Sequence, residues 1–322
     1  MTVIAATAPL IEADGLHKSF GDTAAVRGVS LTVRPGEAYG LVGADGAGKT
    51  TLMRLLVGAL RMDAGHARID GHDVVTDTER ARSRLGYLAQ RFSMYGDLTV
   101  AENVRFFGAS RGVAGDELAR RSTYLLHFVG LAGVEDRLAG VLSGGMKQKL
   151  GLACALLHQP HVVLLDEPTG GLDPLTRQDF WQLIIRLLAD GVAVLVSTPY
   201  MDEAVRCTRL GFLHEGRVLR EGSPRELTAP LDGRILELVA APRRTVQAVV
   251  RADPDVEDVA AFGERYHVRV RAAAGPLERL PRALAAAGAS FTALRTIAPT
   301  LEDAFIALLA EGRSDRRHGI EL

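Results

Sequence analysis

Residues Gly43-Ala44-Asp45-Gly46-Ala47-Gly48-Lys49-Thr50 form a GxxxxGK[ST] run between an apolar strand candidate, Ala38–Val42, and a helix candidate, Thr51–Leu60. No other feature limits the possible folds as much. Glycines at 43, 46 and 48 free the backbone to aim successive N–H groups at one point, and the helix N-terminus adds its dipole. A loop of this kind holds phosphate oxygens. Lys49 supplies a point charge for β- and γ-phosphates, and Thr50 a hydroxyl for Mg²⁺. Asp45 in the loop and Thr51 just after it complete the nucleotide contacts expected from this segment.

The rest of the first two thirds fits the same frame. Leu31–Val33 reads as a strand joined to Ala38–Val42 by the turn Arg34-Pro35-Gly36, and Leu85–Leu88, Val162–Leu165 and Val192–Ser197 are short apolar runs bounded by polar residues, the pattern of strands buried on both faces. Helical periodicity lies between them, so an α/β domain with a largely parallel sheet is expected. A length of 322 residues suggests about two domains. Ser223, Pro224, Pro230 and Gly233 punctuate the break. The reading is a leader at 1–9, a nucleotide-binding domain at 10–228, a small α+β domain at 234–310 and a flexible tail at 311–322. In the second domain the expected order is strand Ile235–Val239, helix Arg244–Arg251, strands Val256–Phe262 and His267–Arg271, helix Leu277–Ala287, strand Phe291–Ile297 and helix Leu301–Leu309. That is the split βαββαβ order of ferredoxin-like domains with a closing helix.

Composition narrows the partners. With 38 Lys+Arg against 39 Asp+Glu the net charge is -1, which argues against a bulk electrostatic grip on nucleic acid. Cys154 and Cys207 stand apart, with neither a disulfide framework nor zinc-site spacing, which fits a reducing compartment. The longest apolar run, Leu150–Leu157, is far short of the roughly 20 residues that span a bilayer, and no export signal opens the chain. Only four lysines occur, at 18, 49, 147 and 149, so Lys49 is conspicuous.

Val162–Leu165 runs into Asp166-Glu167, which delivers two carboxylates to the strand end where open α/β sheets bind ligands. Asp166 suits a Mg²⁺ contact through water. Glu167, pointing to the other face, suits polarisation of an attacking water. Upstream, Leu142-Ser143-Gly144-Gly145-Met146 precedes an apolar helix. Ser143 is an N-cap candidate, and Gly144 and Gly145 allow close approach of backbone N–H groups to an anion.

Together these motifs resemble the ATP-binding cassette (ABC) ATPases, whose signature is usually LSGGQ, with Met146 here at the Gln position. The resemblance covers roughly residues 8–228. It implies a P-loop NTPase fold with a helical subdomain and the small accessory domain behind it. It also implies ATP and Mg²⁺ as cofactors, and a second ATPase subunit whose Ser143–Gly145 loop reaches the nucleotide held by the first. By the same resemblance Phe20 stacks on adenine, Gln90 touches Mg²⁺ and the lytic water, and Asp173, in Gly171-Leu172-Asp173, belongs to the loop that crosses the dimer interface. Phe92–Phe107, through Tyr95, Leu98 and Val100, resembles the region that receives coupling helices of a membrane permease.

The ending Pro299-Thr300-Leu301-Glu302-Asp303-Ala304-Phe305 resembles the accessory domain of ABC-2 type exporters of drugs and other solutes. That implies a peripheral ATPase subunit on the cytoplasmic face of the membrane, driving a separate permease. One position departs from the family. Pro199, in Ser197-Thr198-Pro199-Tyr200, stands where a His normally donates to the γ-phosphate, and proline has neither a side-chain donor nor a backbone N–H. Two consequences stay open at this level: slow, degenerate hydrolysis, or a site in which Glu167 and Gln90 suffice. A non-transport ABC ATPase is the remaining alternative, although the coiled-coil or zinc insertions usual there are missing.

Overall fold

The computed structural model describes residues 8–91 and 93–317, with side chains through Glu311. The chain divides into two compact units between Glu221 and Gly222.

The first unit begins with a hairpin, β1 (Ile11–Phe20) and β2 (Thr23–Val33). It is followed by β3 (Ala38–Val42), α1 (Lys49–Leu56), β4 (Ala64–Ile69), β5 (His72–Asp73), α2 (Thr78–Ser83) and β6 (Leu85–Leu88). Three helices come next, α3 (Val100–Ser110), α4 (Gly115–Val129) and α5 (Gly144–Leu156). The chain then returns through β7 (Val162–Asp166), α6 (Pro174–Ala189), β8 (Ala193–Thr198), the single turn α7 (Met201–Ala204), β9 (Arg209–His214) and β10 (Arg217–Gly222).

Six strands in the order β10-β9-β3-β8-β7-β6 make the central sheet, and β3, β8, β7, β6 and β9 pair in parallel. Every residue of β3, β7 and β8 is buried. The two-residue period of a strand sorts them to opposite faces. Val163, Leu165, Val194 and Val196 join a core with α5 and α6, whereas Val162, Leu164, Ala193 and Leu195 join a second core with α1 and β1. This is the expected α/β plan, with α3–α5 as its helical subdomain.

A second sheet, β2-β1-β4-β5, is antiparallel and was foreshadowed only by Leu31–Val33. Its strands are half exposed and broken by bulges, for example between Ala13 and Leu16, so no clean alternation marks them in the sequence. The helix after the phosphate loop also differs from expectation. It starts at Lys49, because Gly48 is the N-cap, and it ends at Leu56, just before Gly58 takes a left-handed φ of 69°.

The second unit holds α8 (Pro224–Thr228), β11 (Ile235–Ala241), α9 (Arg243–Ala252), β12 (Val256–Phe262), β13 (Arg265–Val270), α10 (Ala274–Ala286), β14 (Ser290–Ile297) and α11 (Leu301–Arg317). Its antiparallel sheet has the order β12-β13-β11-β14, with α9 and α10 over one face. Two boundaries shift from the sequence reading. The division falls at 221/222 rather than 228–234, because α8, capped by Ser223, packs against α11. Residues 311–317, expected in a flexible tail, continue α11; the helix begins with a box in which Asp303 N–H donates to Thr300 Oγ1 at 3.2 Å and Thr300 N–H to Asp303 Oδ2 at 2.8 Å. Residues 1–7 of the expected leader, Phe92, and residues 318–322 lie outside the described residues.

Candidate functional site

The phosphate loop leaves the C-terminal end of β3. Gly46 and Gly48 adopt φ of 78° and 109°, conformations that L side chains rarely take. A Cβ on Gly48 would overlap the Ala25 carbonyl of β2, and one on Gly43 the Leu213 carbonyl of β9. The loop is thus wedged between two strands, which fixes its curvature independently of any ligand. Asp45 is exposed at the crest of the loop, and Thr51 is half-buried on the first turn of α1.

Lys49 is almost fully buried. Its Nζ donates to the carbonyls of Gly43 at 2.8 Å and Ala44 at 3.1 Å, and lies 3.1 Å from Glu167 Oε1. The ammonium is therefore bent back over its own loop, which is the position from which it can meet a phosphate oxygen. Gln90 Nε2, just beyond β6, donates to the other Glu167 oxygen at 2.8 Å. Glu167 has a left-handed φ of 48°, unusual for a residue with a side chain. Its N–H donates to Ser197, at 3.1 Å from the carbonyl and 3.0 Å from Oγ.

Asp166 is wholly buried at the end of β7. It accepts from Ser197 Oγ at 2.6 Å, Thr50 Oγ1 at 3.3 Å and Tyr87 OH at 3.4 Å. Burial, then the Asp166 charge, push the Tyr87 phenol up to about 12, so it stays a donor. No group of three or more His, Cys, Asp or Glu able to hold a metal occurs among the described residues. One carboxylate and one hydroxyl suit Mg²⁺, which takes few protein ligands and completes its octahedron with phosphate oxygens and water. Thr50 donates its proton to Asp166 and so keeps lone pairs for a cation.

Lys49, Thr50, Gln90, Asp166 and Glu167 thus converge. Ser143–Gly145 and Asp173 do not join them; their contacts lie within α5 and α6. Ser143 Oγ caps α5 by accepting from Met146 N–H at 3.3 Å, and Gly145 packs so tightly on Thr176 that a Cβ would overlap its methyl. Asp173 caps α6, accepting from Leu175 N–H at 3.1 Å, Thr176 N–H at 3.0 Å and Thr176 Oγ1 at 2.6 Å, and these bonds hold its carboxyl below the usual range. Ser143 and Gly144 remain exposed. Phe20, at the end of β1, is 50% exposed, with Lys18 Nζ 5.6 Å from its ring centre.

Tyr95 and Phe106 form an exposed edge-to-face pair at 4.9 Å, held beneath by buried Asn103, which accepts from Tyr95 N–H at 2.9 Å and donates to its carbonyl at 2.9 Å. Both cysteines are buried, and burial pushes their thiols up to about 12. Sequence reasoning missed Tyr87, Ser197 and the buried Glu203. A hydroxyl pair closing an apolar strand was the available signal for Ser197.

Residues 26–170 match the family described as ABC transporter. The chain is 40% identical over 308 residues to the probable multidrug ABC transporter ATP-binding protein YbhF of Escherichia coli, covering 93% of this chain and 52% of that protein. It therefore spans about half the length of that curated relative. A Nod factor export ATP-binding protein I of a Rhizobium species is 37% identical over 285 residues, covering 84% of this chain and 93% of that one. The daunorubicin/doxorubicin resistance ATP-binding protein DrrA of Streptomyces peucetius is 38% identical over 229 residues, with 71% and 69% covered. Among solved structures, an ATP-binding subunit of an ABC transporter superposes with a TM-score of 0.64 at 29% identity, covering 69% of this chain and 93% of that one. A dimeric ATP-binding cassette, MJ0796, in a post-hydrolysis state with ADP and Pi, superposes at 0.61 with 27% identity, covering 66% and 98%. With the phosphate loop, the Asp166-Glu167 strand end and the Ser143-capped helix in the arrangement described, this chain belongs to the ABC transporter family, among its ATP-binding proteins.

Proposed function

We propose that the chain is the ATP-binding and ATP-hydrolysing subunit of an ABC-2 type exporter of drugs or other solutes. The observation that carries the ATP-hydrolysing part of this is the convergence of Lys49, Thr50, Asp166, Glu167 and Gln90 at the C-terminal ends of β3, β7 and β6; the exporter class is supported by the similarity to export and resistance ATP-binding proteins. The loop N–H groups and Lys49 would bind the β- and γ-phosphates, Phe20 would stack on adenine, and Thr50 and Asp166 would hold Mg²⁺. Bound Mg²⁺ would neutralise phosphate charge. Glu167 would take the proton of the attacking water, which Gln90 orients.

A second ATPase subunit would complete each site with its Ser143–Gly145 loop and cross the interface near Asp173. The exposed Tyr95/Phe106 pair supports docking of a membrane permease there, on the cytoplasmic face. No helix among the described residues is long and apolar enough to cross a membrane. The second unit would serve as the accessory domain of this exporter class. The relatives named for multidrug transport, Nod factor export and daunorubicin/doxorubicin resistance support export of a drug or other solute.

The test is phosphate release from ATP by the purified chain with Mg²⁺, alone and with its co-expressed permease. Lys49→Ala should abolish both ATP binding and turnover. Turnover that survives Lys49→Ala would overturn the assignment.

A further inference from the structure

β8 ends in two hydroxyl residues that point to opposite faces. Ser197 serves Asp166 and the N–H of Glu167, as described. Thr198 turns the other way and donates to Glu203 Oε2 at 2.8 Å, while its own Oγ1 accepts from Tyr200 N–H at 3.0 Å. The second oxygen of Glu203 accepts from Thr169 Oγ1 and lies 3.4 Å from Arg177 Nε. Glu203, Thr169 and Thr198 are each 1% exposed, so this carboxylate is sealed from water and survives there only because every oxygen is paired.

Each partner belongs to a segment that bears on hydrolysis. Thr169 lies two residues after Glu167, in a turn closed by Gly170 N–H to Glu167 O at 3.2 Å and Leu172 N–H to Thr169 O at 3.1 Å. Thr198 is one residue before Pro199, which offers no side-chain anchor of its own. Arg177 sits on α6, one turn past Asp173, with its guanidinium 4.8 Å from the Tyr200 ring centre. The left-handed backbone of Glu167 is a conformation that persists only where its surroundings over-determine it.

We propose that Glu203 is the positioning residue of the hydrolytic centre: one buried carboxylate that locks the turn after Glu167 to the segment around Pro199, so that Glu167 is aimed at the attacking water. This rests on the reading of Glu167 as the proton acceptor. Glu203, 1% exposed, acts through Thr169 and Thr198.

Glu203→Gln keeps the volume and lets each threonine hydroxyl reorient, but removes the charge that holds Arg177. The expected result is a kcat about tenfold lower with KM for ATP within about twofold of wild type. Amides of Gly170–Leu172 should exchange with solvent about tenfold faster while those of α1 keep their protection. Asp202→Asn, which removes only the exposed partner of Arg177, should behave as wild type. Thr169→Val combined with Thr198→Val should reproduce the Glu203→Gln split between kcat and KM. Unchanged kcat and exchange in Glu203→Gln would overturn the proposal, as would a kcat loss that merely follows a fall in melting temperature. A Glu167→Gln protein that hydrolyses ATP within about threefold of the wild-type rate would instead overturn the reading beneath it. Because the exchange measurement needs no turnover, the two failures are distinguishable.

Discussion

Replacing Glu167 by Gln should make the protein bind ATP more tightly and hydrolyse it far more slowly. Glu167 Oε1 lies 3.1 Å from Lys49 Nζ, with side chains only 12% and 4% exposed. At an effective dielectric of about 20 the direct attraction at that distance is about 5 kcal/mol. Desolvation offsets much of it, leaving about 2 kcal/mol as the net worth of a charge-assisted bond. A phosphate oxygen must compete with this carboxylate for the ammonium. Neutralising Glu167 removes the competitor, and about 1.4 kcal/mol recovered corresponds to roughly tenfold tighter binding. The same change removes the proposed proton acceptor, so kcat should fall by about 10² to 10⁴. Titration with a fluorescent ATP analogue reads the first effect and continuous phosphate release the second. A Glu167→Gln protein that hydrolyses ATP within about threefold of wild type would refute the assignment of the base. An ATP affinity unchanged in Glu167→Gln would refute the competition between carboxylate and phosphate.

Pro199→His should raise steady-state hydrolysis, because a donor to developing phosphate charge is worth about 3 kcal/mol; an unchanged rate would mean that Glu167 and Gln90 already suffice. Gly48→Ala, forced to φ of 109° and against the Ala25 carbonyl, should lose about 2–3 kcal/mol of stability and its ATP binding, and a wild-type melting curve would contradict this. His158 donates to the Leu85 carbonyl at 3.1 Å, and burial followed by the Arg111 charge pushes its pKa from 6.5 down to about 4. Between those values the unfolded chain binds the extra proton, so stability is full above about 6.5 and falls as pH drops toward about 4, by about 2 kcal/mol after allowance for partial exposure. Urea midpoints at about pH 7 and about pH 4.5 should therefore differ less in His158→Gln than in wild type.

Much of the site was legible because its chemistry is carried by contiguous residues. The run from Gly43 to Thr50 implies a loop that must face phosphate, and Asp166-Glu167 follows directly on a buried strand. Gln90 and Phe20 were reached only by resemblance, since a lone glutamine or phenylalanine has no local mark. The half-exposed sheet of β1, β2, β4 and β5 was largely illegible, because bulges break the alternation on which strand reading depends. The helix through Arg317 was cut short for a related reason: its charged last turns look like a solvated end.

By itself the sequence determined that phosphate binding, a parallel sheet and a two-part chain were the only economical reading. These are local properties: backbone freedom at glycine, period-two burial along a strand, a capped helix start. Only the tertiary structure decided which hydroxyls serve which carboxylate. β7 and β8 are neighbours in the sheet but are separated in the chain by the whole of α6, and strand order is not written in any local pattern. That adjacency sets Ser197 against Asp166 and lets Glu203 reach Thr169 and Thr198 at once.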